Sequence, residues 1–284
     1  MRFLCPKCKS NLIECDGRAV CREGHSYDRA RGGYYNLLLG GAGTHGDNKE
    51  MVQARRAFLS EGHYEPLVRR LCERVLENTS SSGVLLDCGA GEGYYTDLVE
   101  RALYEKYGKS EVLAFDISKD AVREIVKKNP RISAVVAGSY HIPLPDGSLD
   151  TVINTFSPLA LEETRRVLKR KGRFIMAIPA EEHLYELKAK IYDTPYKNVV
   201  ESTALDGFRL LTDDSVRYTM SLRTPESVRS LFMMTPYAYR TGSVGRERLE
   251  GLECLECTAD FRLFVYAMLR CCWFYWTELG RRVR

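Results

Sequence analysis

Cys5, Cys8, Cys21 and His25 follow the spacing C-x2-C-x12-C-x3-H. Three thiolates and one imidazole suit tetrahedral Zn2+: each short pair grips one edge of the tetrahedron, and a hairpin between the pairs brings them together. Four protein ligands close the shell, so the metal is structural. A segment of about 35 residues with few large apolar groups needs such a staple to fold. Cys15 lies between the pairs and is expected to be a bystander, and Cys254-Leu-Glu-Cys257 has no partner pair nearby. Lys7, Lys9, Arg18, Arg22, Tyr27, Arg29 and Arg31 surround the ligands and suit phosphate contact and base stacking.

A second chemical centre follows the apolar run Val84 to Cys88. Gly89-Ala-Gly91-Glu-Gly93 leads into a helical stretch from Tyr94 to Leu103, giving strand, tight turn and helix. The glycines let backbone approach a ligand closely, and the helix behind them offers unpaired N–H groups. A strand from Val112 ends in Asp116, 27 residues after Gly89, where an acid accepts two hydrogen bonds from a ribose diol. A dinucleotide motif would place its third glycine where this chain has Tyr94. The spacing G-x-G-x-G after Asp87 instead resembles the first motif of class I S-adenosylmethionine (SAM) methyltransferases. The stretch Ile142-Pro-Leu-Pro-Asp-Gly-Ser-Leu-Asp150 is similar to the same superfamily. There the residue after the third strand lies against adenine; Ser139 replaces the usual acid, so backbone groups are expected to carry that contact.

The elements that position these residues can be read from periodicity. Apolar residues from Gln53 to Asn78 recur at helical spacing broken around Gly62 and Pro66. Ile132 to Gly138 and Thr151 to Phe156 read as strands three and four, Leu159 to Leu168 as a helix stopped by Gly172, and Phe174 to Pro179 as strand five. Such alternation predicts a parallel, doubly wound α/β sheet with its crevice at the carboxyl ends. A late strand over Cys257 to Leu269 is expected to be antiparallel by analogy with the superfamily. The organisation expected is a zinc-binding RNA-recognition module over 1–38, a Gly-rich linker over 39–50 and a SAM domain over 51–284.

The 284 residues include 42 basic and 38 acidic side chains, with 44% hydrophobic, which excludes a wholly disordered, collagen-like or coiled-coil chain. The first residues do not resemble a secretory signal. Leu263 to Trp276 is too short, and with Arg270 too charged, to span a bilayer. A cytoplasmic location is expected, with no membrane or DNA partner. The ten cysteines are read as thiols and metal ligands. Residues 1–70 hold 12 basic and 8 acidic side chains. That excess points to an anionic partner gripped from the N-terminal side, with Arg55 and Arg56 as further candidates.

Six segments in order resemble the RlmA family of bacterial 23S rRNA (guanine-N1)-methyltransferases, including its tylosin-resistance relatives: Cys5 to His25, Gly33 to Leu38, Gln53 to Tyr64, Leu86 to Tyr95, His183 to Lys188 and Met234 to Tyr239. The resemblance implies a zinc module joined to a class I, Rossmann-like SAM domain with a mostly parallel seven-stranded sheet. It further implies a homodimer framing an RNA cleft and a guanine substrate in a 23S rRNA stem-loop. The implied zinc ligands are Cys5, Cys8, Cys21 and His25. Tyr64, Gly93, Tyr94 and His183 are implied at the cofactor, to which the motif reading adds Asp87, Gly89, Gly91, Asp116 and Ser139. Beyond the family's usual end runs a tail, 270–284, for which core packing or a dimer contact is expected.

Methyl transfer to guanine N1 is an in-line displacement in which the N1 proton must be lost, so positioning and water exclusion should supply most of the rate. Phe156-Ser157-Pro158 stands where methyltransferases acting on amino groups place a base-clamping turn, making Ser157 a candidate. His183, Asp87 and Glu92 remain open as proton acceptor. Alternatives are a small-molecule methyltransferase, which has no need of the zinc module, and an rRNA assembly factor with a degenerate SAM fold, against which the intact glycines argue.

Overall fold

The computed structural model describes residues 1–39, 46–200 and 202–269. Residues 40–45 of the expected linker and the tail 270–284 lie outside the described residues. At the N-terminus, β1 (Leu12–Cys15), β2 (Arg18–Cys21) and β3 (Ser26–Asp28) form a three-stranded antiparallel sheet. The β1–β2 turn is Asp16-Gly17 with both residues at positive φ (49° and 74°), the hairpin geometry that Asp-Gly favours.

β4 (Tyr35–Asn36) leaves that ribbon and joins the main sheet. Helices α1 (Lys49–Ser60) and α2 (Glu65–Asn78) follow, with Gly62 at φ 80° between them and Pro66 in the first turn of α2, where a missing N–H costs nothing. The core then alternates: β5 (Val84–Cys88), α3 (Tyr94–Tyr107), β6 (Glu111–Asp116), α4 (Lys119–Lys128), β7 (Ser133–Val136), β8 (Leu149–Thr155), α5 (Leu161–Val167), β9 (Leu168–Pro179). After α6 (Tyr185–Ile191) and the long β10 (Phe208–Leu222) come three short helices, α7 (Pro225–Met233), α8 (Tyr237–Arg240) and α9 (Ser243–Glu250). The last described element is β11 (Leu255–Met268).

The main sheet has the order β10-β11-β9-β8-β5-β6-β7-β4. β4 to β9 run parallel, whereas β11 pairs antiparallel with both β9 and β10. Seven of these strands form the expected sheet, and the two-residue β4 adds an eighth. β5 pairs with β6 on one side and β8 on the other. The strand order therefore reverses at β5, and a ligand crevice belongs at its carboxyl end.

Each face of the sheet has its own apolar core. One packs Leu67, Leu71 and Val75 of α2 and Val99 of α3 against Leu85, Ile153 and Phe261. The other joins Phe3, Leu12, Cys21 and Leu37 of the N-terminal segment to Leu113, Phe115, Val135 and Ile142. Leu4 N–H also donates to Pro143 O at 2.8 Å, and Arg2 pairs with Glu111. The zinc-type module thus covers one face of the catalytic sheet.

Candidate metal centre and cofactor crevice

The ligand atoms of Cys5, Cys8, Cys21 and His25 all lie within 4.8 Å of one another. Cys5 and Cys21 Sγ stand 3.5 and 3.4 Å from His25 Nδ1, and Cys8 and Cys21 Sγ are 3.6 Å apart. Zinc bonds of about 2.0–2.3 Å in a tetrahedron separate ligand atoms by about 3.5–3.8 Å, so the set fits the metal. Two tight turns supply the grip: Lys9 N–H bonds to Cys5 O at 2.7 Å, and Gly24 N–H to Cys21 O at 3.0 Å. Tyr27 Oη at 3.2 Å from Cys5 Sγ and Ser10 Oγ at 3.1 Å from Cys8 Sγ are placed to donate to the thiolates. Cys15 is exposed and outside the cluster; Cys254, exposed, and Cys257, buried, also lie outside it.

At the carboxyl end of β5, Gly89, Gly91 and Gly93 adopt φ of 69°, 57° and 79°, the left-handed region that favours glycine. A Cβ on Gly89 would lie 2.5 Å from Ser157 Cβ, so the turns after β5 and β8 are in direct contact. Asp116 closes the loop from the next strand: its Oδ2 accepts Gly91 N–H at 2.9 Å and its Oδ1 accepts Ser118 N–H at 2.8 Å. Tyr94 opens α3, and Ser139 follows β7, half-buried.

Asp87 is 1% exposed, with Oδ2 accepting from the Thr96 hydroxyl at 2.6 Å and Oδ1 unpartnered. Burial, reinforced by Asp116 and opposed by the Thr96 bond, pushes its carboxyl up to about 7. Glu92 is also buried with Oε1 unpartnered, and burial raises its pKa against the pull of Arg55. Thr155 Oγ1, at the end of β8, is a third buried orphan. Buried polar atoms without partners are costly. Three of them around one crevice, beside a glycine cradle, fit a ligand rich in hydroxyl and amino groups.

Tyr64 precedes α2 and is 2% exposed, and its Oη lies 3.4 Å from His183 Nε2. His183 Nδ1 accepts from Asp260 N–H at 3.3 Å, which leaves the ring proton on Nε2 to face the tyrosine oxygen. Burial, with the charge of Lys188, lowers the His183 pKa to about 3. With both nitrogens engaged and so low a pKa, His183 positions Tyr64 and is a poor proton acceptor. Ser157 is likewise committed, donating to Cys88 O at 2.7 Å, which leaves Asp87 and Glu92 as candidates.

Phe156 holds φ 61°, a conformation that costs an ordinary side chain about 1–2 kcal/mol. Phe156 is 38% exposed, and its ring stands 6.0 Å from Tyr95 and 5.4 Å from Phe261. Asn154, which the sequence reading missed, pins this turn: Oδ1 accepts Ser157 N–H at 3.3 Å and Nδ2 donates to Pro158 O at 3.4 Å. Arg55 was expected on the RNA-facing surface, but α1 directs it into the crevice, ion-paired with Asp47 and beside Gly91. Arg56 stays outside, paired with Glu124. Arg18 and Arg22 pair with Asp28 and Glu23, while Lys7, Lys9 and Arg31 are exposed without an ion pair among the described residues.

Two family models match, "RlmA, N-terminal" over residues 3–39 and "Methyltransferase domain" over 86–176. A Streptomyces fradiae protein named 23S rRNA (guanine(748)-N(1))-methyltransferase is 37% identical over 66% of this chain and 67% of its own length. A Micromonospora griseorubida protein provisionally named a 23S rRNA (guanine-N(1)-)-methyltransferase is 33% identical over 84% of this chain and 86% of its own. Among solved structures, the YcgJ protein of Bacillus subtilis superposes with a TM-score of 0.47 at 13% identity, covering 71% of this chain and 97% of that one.

Proposed function

Because the chain belongs to the RlmA family of 23S rRNA (guanine-N1)-methyltransferases, we propose that its guanine lies in a stem-loop of 23S rRNA, gripped through the zinc module by a homodimer in the cytoplasm. The enzyme is SAM-dependent and carries one structural zinc. The observation that carries the reading is the coexistence in one body of a closed Cys3His ligand set and an intact glycine cradle with buried, unpartnered acceptors.

Bound SAM supplies a methyl group on a sulfonium. We assign Asp116 and the Gly89–Gly93 turn to the adenosine, with Ser139 at the adenine edge and Tyr64, Tyr94 and His183 along the remaining wall. Tyr64, Tyr95, Phe156 and Phe261 form an aromatic wall that excludes water, and the exposed ring of Phe156 is the surface on which a guanine stacks. The guanine must be unpaired or extruded to reach it. Its N1 proton passes to a carboxylate, with Glu92 the first to test. Lys7, Lys9 and Arg31 supply phosphate contacts. Among the described residues no helix is long and apolar enough to cross a membrane.

The test is tritiated SAM with 23S rRNA from a strain lacking the enzyme, followed by primer extension. A stop at one guanine is expected. Methylation of small molecules but not rRNA, or rRNA binding with no transfer, would replace this reading with one of the two alternatives.

A further inference from the structure

The crevice needs a cation, and Arg55 is placed to be it. SAM carries one anion, its α-carboxylate, beside an ammonium and a sulfonium. Asp87, Glu92 and Asp116 suit the cationic and hydroxyl groups of such a ligand and repel its carboxylate. A carboxylate taken out of water needs a paired, hydrogen-bonded cation.

Arg55 lies on α1 with its side chain 25% exposed. Its Nη1 bonds to Asp47, and the same nitrogen would lie 3.5 Å from a Cβ on Gly91. Burial works against its charge, but the carboxylates of Asp47, Glu92 and Asp116 outweigh that and raise its pKa. Nε and Nη2 have no hydrogen-bond partner among the described residues. Lys128, another cation acting on Glu92, is occupied by Asp97 at 3.3 Å and stands over the Tyr94 ring.

The segment before α1 fixes this arrangement. Asn48 Oδ1 caps the helix by accepting Met51 N–H at 2.9 Å, and the Ser118 hydroxyl donates to Asp47 O at 2.7 Å. Gly46 lies so close to the loop after Asp116 that a Cβ there would stand 2.7 Å from Ile117 Cγ2. Residues 46–48 are thus seated on the edge of the cofactor loop and hold one side of the guanidinium.

We propose that Arg55 receives the α-carboxylate of SAM through its free Nε and Nη2 edge, with Asp47 as the positioning residue on the opposite edge. The inference rests on the chain binding SAM. It makes residues 46–48 and α1 part of the cofactor site.

The experiment is calorimetry on the zinc-loaded full chain with SAM and with decarboxylated SAM, which lacks only the carboxylate. Wild type should prefer SAM by about tenfold to a hundredfold, the range of a charge-assisted pair. Arg55→Gln should erase that preference by weakening SAM, leaving decarboxylated SAM unchanged or tighter, and Arg55→Lys should restore part of it. If Arg55→Gln weakens both ligands equally, or neither, the assignment is overturned. Failure of wild type to bind SAM at all would overturn the cofactor reading instead.

Discussion

His183 and Tyr64, 119 positions apart in sequence, face each other inside the protein with Nε2 3.4 Å from Oη. Asp260 N–H fixes the imidazole from its other side. The neutral form of His183 is therefore built into the fold.

That neutrality has a pH signature. His183 titrates near 6.5 when unfolded and at about 3 when folded, so below pH 6.5 the unfolded chain binds the extra proton and stability falls with pH. Wild type should lose about 2 kcal/mol between pH 8 and pH 5 from this residue alone. Denaturant unfolding at the two pH values should show a smaller loss in His183→Gln; an equal loss would mean that the imidazole is not held neutral.

Asp87 titrates in the opposite sense. Its carboxyl, up at about 7 when folded against 3.8 when free, keeps its proton longer in the native state, so its contribution to stability falls as pH rises from about 4 to about 7. A cationic ligand beside the unpartnered Oδ1 favours the ionised form, so SAM binding should release a proton. Affinity should rise about tenfold from pH 6 to pH 8, and Asp87→Asn should flatten the dependence. A wild-type affinity flat across that range would remove Asp87 from the cofactor.

The zinc module should matter beyond RNA. Phe3, Leu12 and Leu37 share one apolar cluster with Leu113, Phe115 and Val135 of the catalytic sheet. Cys21→Ser should therefore lose the metal and also lower the melting temperature of the whole chain. A chain starting at Asp47 should aggregate through the uncovered sheet face. Metal analysis with thermal unfolding checks this; retained zinc would sink the ligand assignment, and an unchanged melting temperature would sink the coupling.

The ligand set, the glycine turn and the strands around β5 were legible in the sequence because each is local. Short cysteine spacings, G-x-G-x-G after an apolar run, and alternating strand and helix all express chemistry within a few residues of chain. β10 was not legible: across Thr212, Asp213, Asp214 and Ser215 the half-buried and the exposed positions are polar alike, so this part of the edge strand carries no apolar alternation. Nor were the directions in which side chains point. Whether Arg55 faces solvent or the crevice depends on α1 lying beside the Asp116 loop, and whether His183 is a base or a neutral support depends on Asp260 and Tyr64 meeting it from distant segments. Burial and long-range hydrogen bonds set the charge state of a titratable group, and both come into being only when the chain closes on itself.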